Sequence, residues 1–374
     1  MEQLNSIKDN LKIIISGGGT GGHVYPALAI ADEIRTTYPK AEILFIGAKG
    51  RMEMEKVPQH GYKIVGLWIS GFQRKNIFKN ILLPFKIISS FYKVNSIISE
   101  FKPDAVVGVG GYASGPLLYV AARRKIPSLI QEQNSYPGVT NKVLASRAKK
   151  ICVAYPGMEV FFAKEKIAYT GNPVRDFSKV ANIPKKESFA YFNLNPDKPT
   201  ILVVGGSLGA RTINNSIIKH MDAIIDEDIQ LIWQTGKFYY EDIKNQVATK
   251  VNNQIWINSF IERMDYAYAC ADIVISRAGA ISISELSLAG KASIFVPSPN
   301  VAEDHQTKNA MVLVENEAAL IVKDNEAGGN LIPVAMKLMR DKSLQEKLAK
   351  NIFALAKPNA AKDIVNELIQ LIKK

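Results

Sequence analysis

The chain has 374 residues, 47% of them hydrophobic and 22% charged, a balance that suits a folded globular protein of about two domains. Its formal net charge of +12 sits almost wholly in the first half: residues 1–177 hold 24 Lys and Arg against 13 Asp and Glu, and the remainder holds 23 against 22. No apolar run reaches the length of a membrane-spanning helix, and two distant cysteines in apolar contexts, Cys152 and Cys270, exclude a disulfide framework or a cysteine zinc site.

The N-terminus, MEQLNSIKDN, is polar and shows no secretory signal, so the expected location is the cytosol or the cytosolic side of a membrane. Ile13–Ile15 then form a short β-branched run, the pattern of a buried parallel strand. The run breaks into Gly17, Gly18, Gly19, Thr20, Gly21 and Gly22, and Ala27–Arg35 reads as a helix built from good helix formers. Strand, glycine loop and helix bring backbone N–H groups up to an anion. Gly17, Gly19 and Gly22 also match the G-x-G-x-x-G of dinucleotide-binding folds. The ribose-binding acid expected some ~20 residues later is missing, because the second strand, Ile43–Ile46, ends in Gly47, Ala48 and Lys49. His23 has two readings: a structural group bonding a nearby carbonyl, or a base or electrophile facing the ligand.

Strands follow at Ile64–Leu67, Ala105–Val109, Ser128–Gln131 and Ile151–Val153, with intervals long enough for crossover helices, which predicts a parallel doubly wound sheet. The stretch Lys56–Ser99 contains no acid and interleaves Lys75, Lys79 and Lys86 with Ile77, Phe78, Ile81, Leu82 and Phe85. That mixture describes an interfacial membrane surface; the alternative is a helix with a core stripe and a solvated face, whose periodicity Pro84 interrupts. Nucleic acid is not expected, since no nucleic-acid motif accompanies the charge. Polar clusters follow the strand ends at Gly110–Pro116, Gln131–Asn134 and Thr170–Arg175, and ligands of open α/β sheets bind at such ends.

Asn172–Pro173 and the polar Lys179–Ser188 mark a domain boundary, after which the pattern restarts with strand Thr200–Val204, glycine loop Gly205–Ala210 and helix Arg211–Lys219. Strands continue at Ile229–Trp233, Ile255–Ile257, Ile273–Ile275 and Ala292–Val296. Ser276–Ala280 leads into a helix over Ile281–Leu288, where Glu285 either takes both hydroxyls of a ribose or simply favours the helix start through its dipole. Pro297–Asn300, Glu303–Gln306 and Asn309 add amide-rich loops that include His305, whereas His60 and His220 read as surface residues. Asp226–Asp228 precedes a strand and reads as a solvated turn, so no metal is expected. A diphosphate leaving group then needs Arg175 and the N–H groups of Gly205–Ala210. Asn359–Lys374 places Ala360, Ile364, Leu368 and Leu371 at helical spacing, which predicts a closing amphipathic helix.

Seven segments together resemble one family in order along essentially the whole chain: GGTGGH at 18–23, GGYASGP at 110–116, QEQN at 131–134, GNPVR at 171–175, GGSLGA at 205–210, SRAGAISISE at 276–285 and DHQ…NA at 304–310. They resemble the MurG family of peripheral N-acetylglucosaminyltransferases. The resemblance implies an α/β GT-B fold of two Rossmann-like doubly wound domains facing a cleft, over 1–176 and 177–352, with a helix in 353–374 returning to the first. It implies inverting transfer of GlcNAc from UDP-GlcNAc to the 4-hydroxyl of the muramoyl sugar on undecaprenyl-diphospho-MurNAc-pentapeptide, without metal or cofactor. UDP-GlcNAc contacts are implied at Thr20, Gly21, Gly22, Asn134, Arg175, Ser207, Ile261, Ala280, Ile281, Ser282, Ile283, Ser284, Glu285, Gln306 and Asn309. Within these, Glu285 holds the ribose, Arg175 and Ser207 the phosphates, and Gln306 and Asn309 the sugar. His23 is the first choice for the base and Glu132 the second, while Gly110, Gly111 and Tyr112 meet the acceptor diphosphate. The family pattern often has a second glutamine near Gln306, where this chain has His305 and Thr307. The basic apolar stretch Lys75–Phe91 matches the family's docking segment on the cytoplasmic face of the inner membrane, where cell-wall synthesis proteins are expected partners. The rivals are a related transferase with another lipid acceptor such as diacylglycerol, a UDP-sugar epimerase, and a non-catalytic nucleotide-sugar-binding subunit.

Overall fold

The structure, a computed structural model, describes residues 10–71, 80–175, 177–250 and 252–373. The chain divides into two compact units, Met1–Val174 with Asn359–Lys374, and Arg175–Pro358. In the first unit the strands are β1 (Lys12–Ser16), β2 (Glu42–Ala48), β3 (Lys63–Leu67), β4 (Ala105–Gly108), β5 (Ser128–Glu132), β6 (Lys150–Val153) and β7 (Ile167–Tyr169). Among the described residues they form a seven-stranded sheet in the order β3-β2-β1-β4-β5-β6-β7. The second unit holds β8 (Thr200–Val204), β9 (Gln230–Gln234), β10 (Ile255–Asn258), β11 (Ile273–Ser276), β12 (Ala292–Phe295) and β13 (Leu320–Ile321), in the order β10-β9-β8-β11-β12-β13. Every one of these pairings is parallel. Both sheets are thus the doubly wound GT-B type, and each reverses strand order beside its central strand, at β1/β4 and at β8/β11.

A parallel sheet covered on both faces demands strands that are apolar throughout. β1 meets that demand by alternation: Ile13 and Ile15 join a core layer with Val24, Ala27 and Ile30, while Ile14 joins the opposite layer with Val94, Ile98 and Leu117. The chain's last helix, Ala360–Lys373, buries Ile364, Val365, Leu368 and Ile369 in the first of those layers. It packs there against the helix Gly21–Thr37, and Glu367 pairs with Lys150 of β6 at 3.1 Å. Residues at the far end of the sequence therefore complete the core of the first unit. In the second unit Ile201, Val203, Ile213, Ile217 and Trp233 belong to one continuous core.

Several elements differ from expectation. The first helix begins at Gly21, six residues before Ala27, because Thr20 holds an extended N-cap conformation and the glycines and His23 form its first turn. Pro26 sits inside that helix and gives up one backbone hydrogen bond. Pro84 does not break the helix in the basic stretch but opens it, at the start of Leu83–Phe101. The short edge strands β7 and β13 carry too few residues to show a period. His220 is half-buried, with Nδ1 2.9 Å from the Ser216 carbonyl. Both cysteines are buried and free, and burial pushes the Cys270 thiol up to about 11. Asp228 pairs with Lys198 at 2.6 Å and Glu227 with Arg340, so the acidic turn is spent on neighbouring cations. Lys75, Ile77, Phe78 and Lys79 lie outside the described residues. No described helix is long and apolar enough to cross a membrane.

Candidate active site

In the first unit, two loops leave adjacent strands at the point where strand order reverses. The loop after β1 presses against the loop after β4 so closely that a Cβ on Gly111 would stand 2.4 Å from the Gly18 carbonyl oxygen. His23, half-buried in the first helical turn, lies between them. Its Nδ1 is 3.1 Å from that same Gly18 oxygen and 3.4 Å from Thr20 Oγ1, and its ring lies against Gly110, where a Cβ would come within 2.8 Å of Nε2. A carbonyl can only accept, so Nδ1 carries the ring proton and Nε2 holds the lone pair. The contact with the Gly18 carbonyl is the one the structural reading expects, and it favours the tautomer with its proton on Nδ1.

Glu132 is almost fully buried, and all its accepting capacity is turned inward. Oε1 accepts from Asn134 N at 3.0 Å and Asn134 Nδ2 at 3.3 Å; Oε2 accepts from Gly138 N at 3.0 Å and Asn141 Nδ2 at 2.8 Å. It anchors the loop 132–141. Gln131 and Gln133 are likewise scaffold. Gln131 donates to Asn172 Oδ1 at 3.0 Å, Asn172 donates to the Gln133 carbonyl at 3.1 Å, and Gln133 donates to the Val109 carbonyl at 2.8 Å. This buried amide network ties the QEQN and GNP motifs to the end of β4. Tyr112 is exposed, with its ring over Gly71. Thr20 and Gly22 are exposed and Gly21 half-buried, at the helix N-terminus.

In the second unit, Gly205–Ala210 leads from β8 into the helix Arg211–Lys219, and Gly209 packs backbone to backbone on Gly236. Beside the loop lies a cavity of about 530 Å³ lined by Gly205, Gly206, Arg211, Gly279, Ser282, Ser298 and Gln306 among others, within the range of small-molecule sites. The structure brings Ser282 and Gln306 of the expected donor residues to this cavity, and Gln306 Oε1 accepts from Ser298 N at 2.8 Å. Ser207 is exposed in the loop, whereas Ile283 and Asn309 are buried in the unit. Ala280 is buried and Ile281 and Ser284 half-buried on the helix Ala280–Ala289, with Ser284 Oγ donating to the Ala280 carbonyl at 3.0 Å. Farther along that helix, Glu285 Oε1 pairs with Arg175 Nη2 at 3.3 Å. Burial holds the Glu285 carboxyl above the usual carboxylate range, against the opposing pull of Arg175.

Three residues here were not singled out as site residues from the sequence. Gln234, at the end of β9, donates to the Gly206 carbonyl at 3.1 Å and accepts from Ile261 N at 3.1 Å, so one buried amide sets both the glycine loop and the buried Ile261. Arg277 donates to the Val296 and Pro297 carbonyls at 3.0 and 3.2 Å and pairs with Asp324, fastening the ends of β11 and β12 together. Glu53 holds the first glycine loop from below. A polar residue that satisfies backbone across strands leaves no local period by which to find it.

Family models match both units: the glycosyltransferase family 28 N-terminal domain over residues 13–153 and its C-terminal domain over 200–368. The chain is 54% identical over 363 residues, 97% of this chain and 99% of the relative, to the UDP-N-acetylglucosamine–N-acetylmuramyl-(pentapeptide) pyrophosphoryl-undecaprenol N-acetylglucosamine transferase of Parabacteroides distasonis. It is 53% identical to the protein of the same name from Flavobacterium psychrophilum, over 98% of this chain and 99% of the relative. Among solved structures it is similar to Acinetobacter baumannii MurG, with a TM-score of 0.77 and 29% identity, covering 96% of this chain and 99% of that one.

Glu285→Ala is expected to weaken binding of the UDP-linked sugar by roughly 10- to 100-fold, the loss of charge-assisted hydrogen bonds. The ionised carboxylate is the accepting form, and burial raises its titration, so affinity should fall with falling pH before an exposed carboxylate would protonate. Calorimetric titration checks both; an unchanged affinity in the variant, or one flat across the acid range, contradicts the role.

Proposed function

The chain belongs to glycosyltransferase family 28 and, within it, to the MurG transferases, and on that premise we propose how its residues divide the work. The protein transfers GlcNAc from UDP-GlcNAc to the 4-hydroxyl of the muramoyl sugar of undecaprenyl-diphospho-MurNAc-pentapeptide. The observation that carries the reading is the second unit's cavity, bounded by a glycine loop on one side and the helix of Glu285 on the other. Glu285 takes the ribose hydroxyls, and Ile261 meets the base. Arg175 and the N–H groups of Gly205–Ala210 receive the diphosphate charge as the bond to C1 breaks. Gln306 meets the sugar, with Asn309 supporting its helix from beneath.

His23 is the base. Its Nε2 takes the proton of the acceptor hydroxyl as the oxygen attacks C1, and the electron pair of the broken C1–O bond leaves with UDP, so the anomeric centre inverts. Glu132 supports the loop beside it and is not needed as a second base. Gly110, Gly111 and Tyr112 border His23 on the acceptor side. In EDTA, UDP release from UDP-GlcNAc should depend on a short-chain analogue of the muramoyl-pentapeptide lipid. Release without any acceptor would point instead to an epimerase or hydrolase, and release only with a diacylglycerol acceptor would reassign the substrate.

The acceptor's lipid places the enzyme peripherally at the cytoplasmic face of the inner membrane, beside other proteins of cell-wall synthesis. Support comes from a stripe of exposed apolar side chains, Phe85, Ile88 and Tyr92 at helical spacing on the helix Leu83–Phe101, with Ile81 and Leu82 in the turn that leads into it. Lys86, by contrast, is turned back: Nζ donates to Ser70 Oγ at 3.0 Å and lies 5.8 Å from the Trp68 ring centre. Replacing Phe85, Ile88 and Tyr92 together with Ser should weaken binding to anionic vesicles at least about 10-fold, since each loses buried apolar area; equal binding would remove this face from the interface.

A further inference from the structure

The buried carboxylate of Glu53, at the start of the helix Glu53–Gln59, lies against the first glycine loop and faces the protein's own backbone. Its Oε1 accepts from Ala48 N at 3.0 Å and its Oε2 from Gly19 N at 2.9 Å. The side chain is fully buried, and a Cβ on Gly18 would stand 2.2 Å from Oε1, so Gly18 is glycine to admit it. The N–H of Gly19 and the carbonyl of Gly18 belong to one peptide group. The same carbonyl accepts from His23 Nδ1 at 3.1 Å. A continuous line thus runs from carboxylate to peptide N–H, through the amide to its oxygen, and on to the imidazole.

We propose that Glu53 is a positioning residue that acts on His23 through the Gly18–Gly19 peptide, as the distant third member of a base assembly. The inference rests on the reading of His23 as the base. An N–H that donates to an anion shifts electron density onto the oxygen of its own amide, making it a stronger acceptor. The stronger acceptor holds Nδ1–H in place and favours the imidazolium that forms when Nε2 takes the acceptor's hydroxyl proton. No proton crosses the peptide: Nδ1 keeps its hydrogen throughout, and the proton gained at Nε2 leaves later to water.

The electrostatics make such a device useful. His23 stands in the first turn of the helix Gly21–Thr37, where the helix dipole disfavours a cation. The Glu53 charge opposes that penalty from the other side of the loop. The loop segments around His23 carry few titratable groups. Residues 17–22 contain no titratable side chain, the loop Val109–Ala113 contributes only the phenol of Tyr112, which lies over Gly71, and the helix adds Tyr25, whose ring lies against Gly21.

The test is ¹⁵N NMR of protein labelled at histidine, in the absence of substrates. The chain has only 4 histidines, and the signal lost in His23→Asn assigns the one required. Wild-type His23 should be the Nδ1–H tautomer when neutral. In Glu53→Gln its titration midpoint should move down by about half a unit to one unit, the effect of removing one charge at this range. The acid limb of the kcat/KM profile should move the same way, whereas a merely structural role would lower the rate without moving the midpoint. Should Glu53→Gln fail to fold, Glu53→Asp, which keeps the charge but shortens the reach, should give a smaller shift of the same sign. An Nε2–H tautomer in the wild type, or an unmoved midpoint in a folded variant, overturns the proposal. A shifted midpoint together with normal turnover of His23→Asn would leave the relay standing and remove the base.

Discussion

Both units depend on one constraint, the contact of backbone on backbone between loops that leave neighbouring parallel strands. Parallel strands lie side by side with all their carboxyl ends at one edge, so the loops that emerge there compete for the same space. In the first unit the Gly18 carbonyl meets Gly111; in the second, a Cβ on Gly236 would stand 2.1 Å from Gly209 N. Any side chain at these positions would wedge the loops apart. With none, backbone N–H and carbonyl groups come close enough to be organised by a few buried polar side chains, Glu53, Gln133 and Gln234 foremost.

Those side chains explain how two similar sheets acquire different chemistry. In the second unit the glycine loop is held by a neutral amide, Gln234, whose bonds leave the loop beside an open polar cavity. In the first unit it is held by an anion, Glu53, which occupies the Gly19 N–H itself. A carboxylate fixed on the Gly19 N–H takes a donor that an anionic ligand would otherwise use, so the two glycine loops offer different sets of free backbone donors. Glycine loops at Gly17–Gly22 and Gly205–Gly209 are therefore anchored by different chemistry.

Much of the fold could be read from the chain. The central strands announce themselves as apolar β-branched runs because both faces of a parallel sheet are buried, and Ile364 and Leu368 announce the closing helix by their period. The edge strands β7 and β13 were missed because three and two residues cannot establish a period. The sequence places the start of the first helix late because glycine and proline read as breakers, although Gly21 and Gly22 lie in its first turn, where backbone N–H groups lack intrahelical partners anyway, and Pro26 costs it only one bond. Of the candidate residues, the structure sets His23 between the loops that follow β1 and β4 and Gln306 at the cavity of the second unit, while Glu285 lies along the helix Ala280–Ala289. Glu132 and Asn309 are both buried, which their sequence positions did not show, since position does not say which way a side chain turns. Glu53 stands four residues beyond Lys49, past a turn and at the first position of the helix Glu53–Gln59, out of reach of a spacing rule.

The central claim is a division of labour, with donor recognition in the second unit and proton removal by His23 in the first. The most direct measurement is calorimetric affinity for UDP-GlcNAc in His23→Ala, set beside the turnover of the same preparation. Donor affinity should equal the wild type's while kcat falls by roughly 10²- to 10⁴-fold, the usual contribution of a general base. Lost donor affinity, or near-normal turnover, would contradict it.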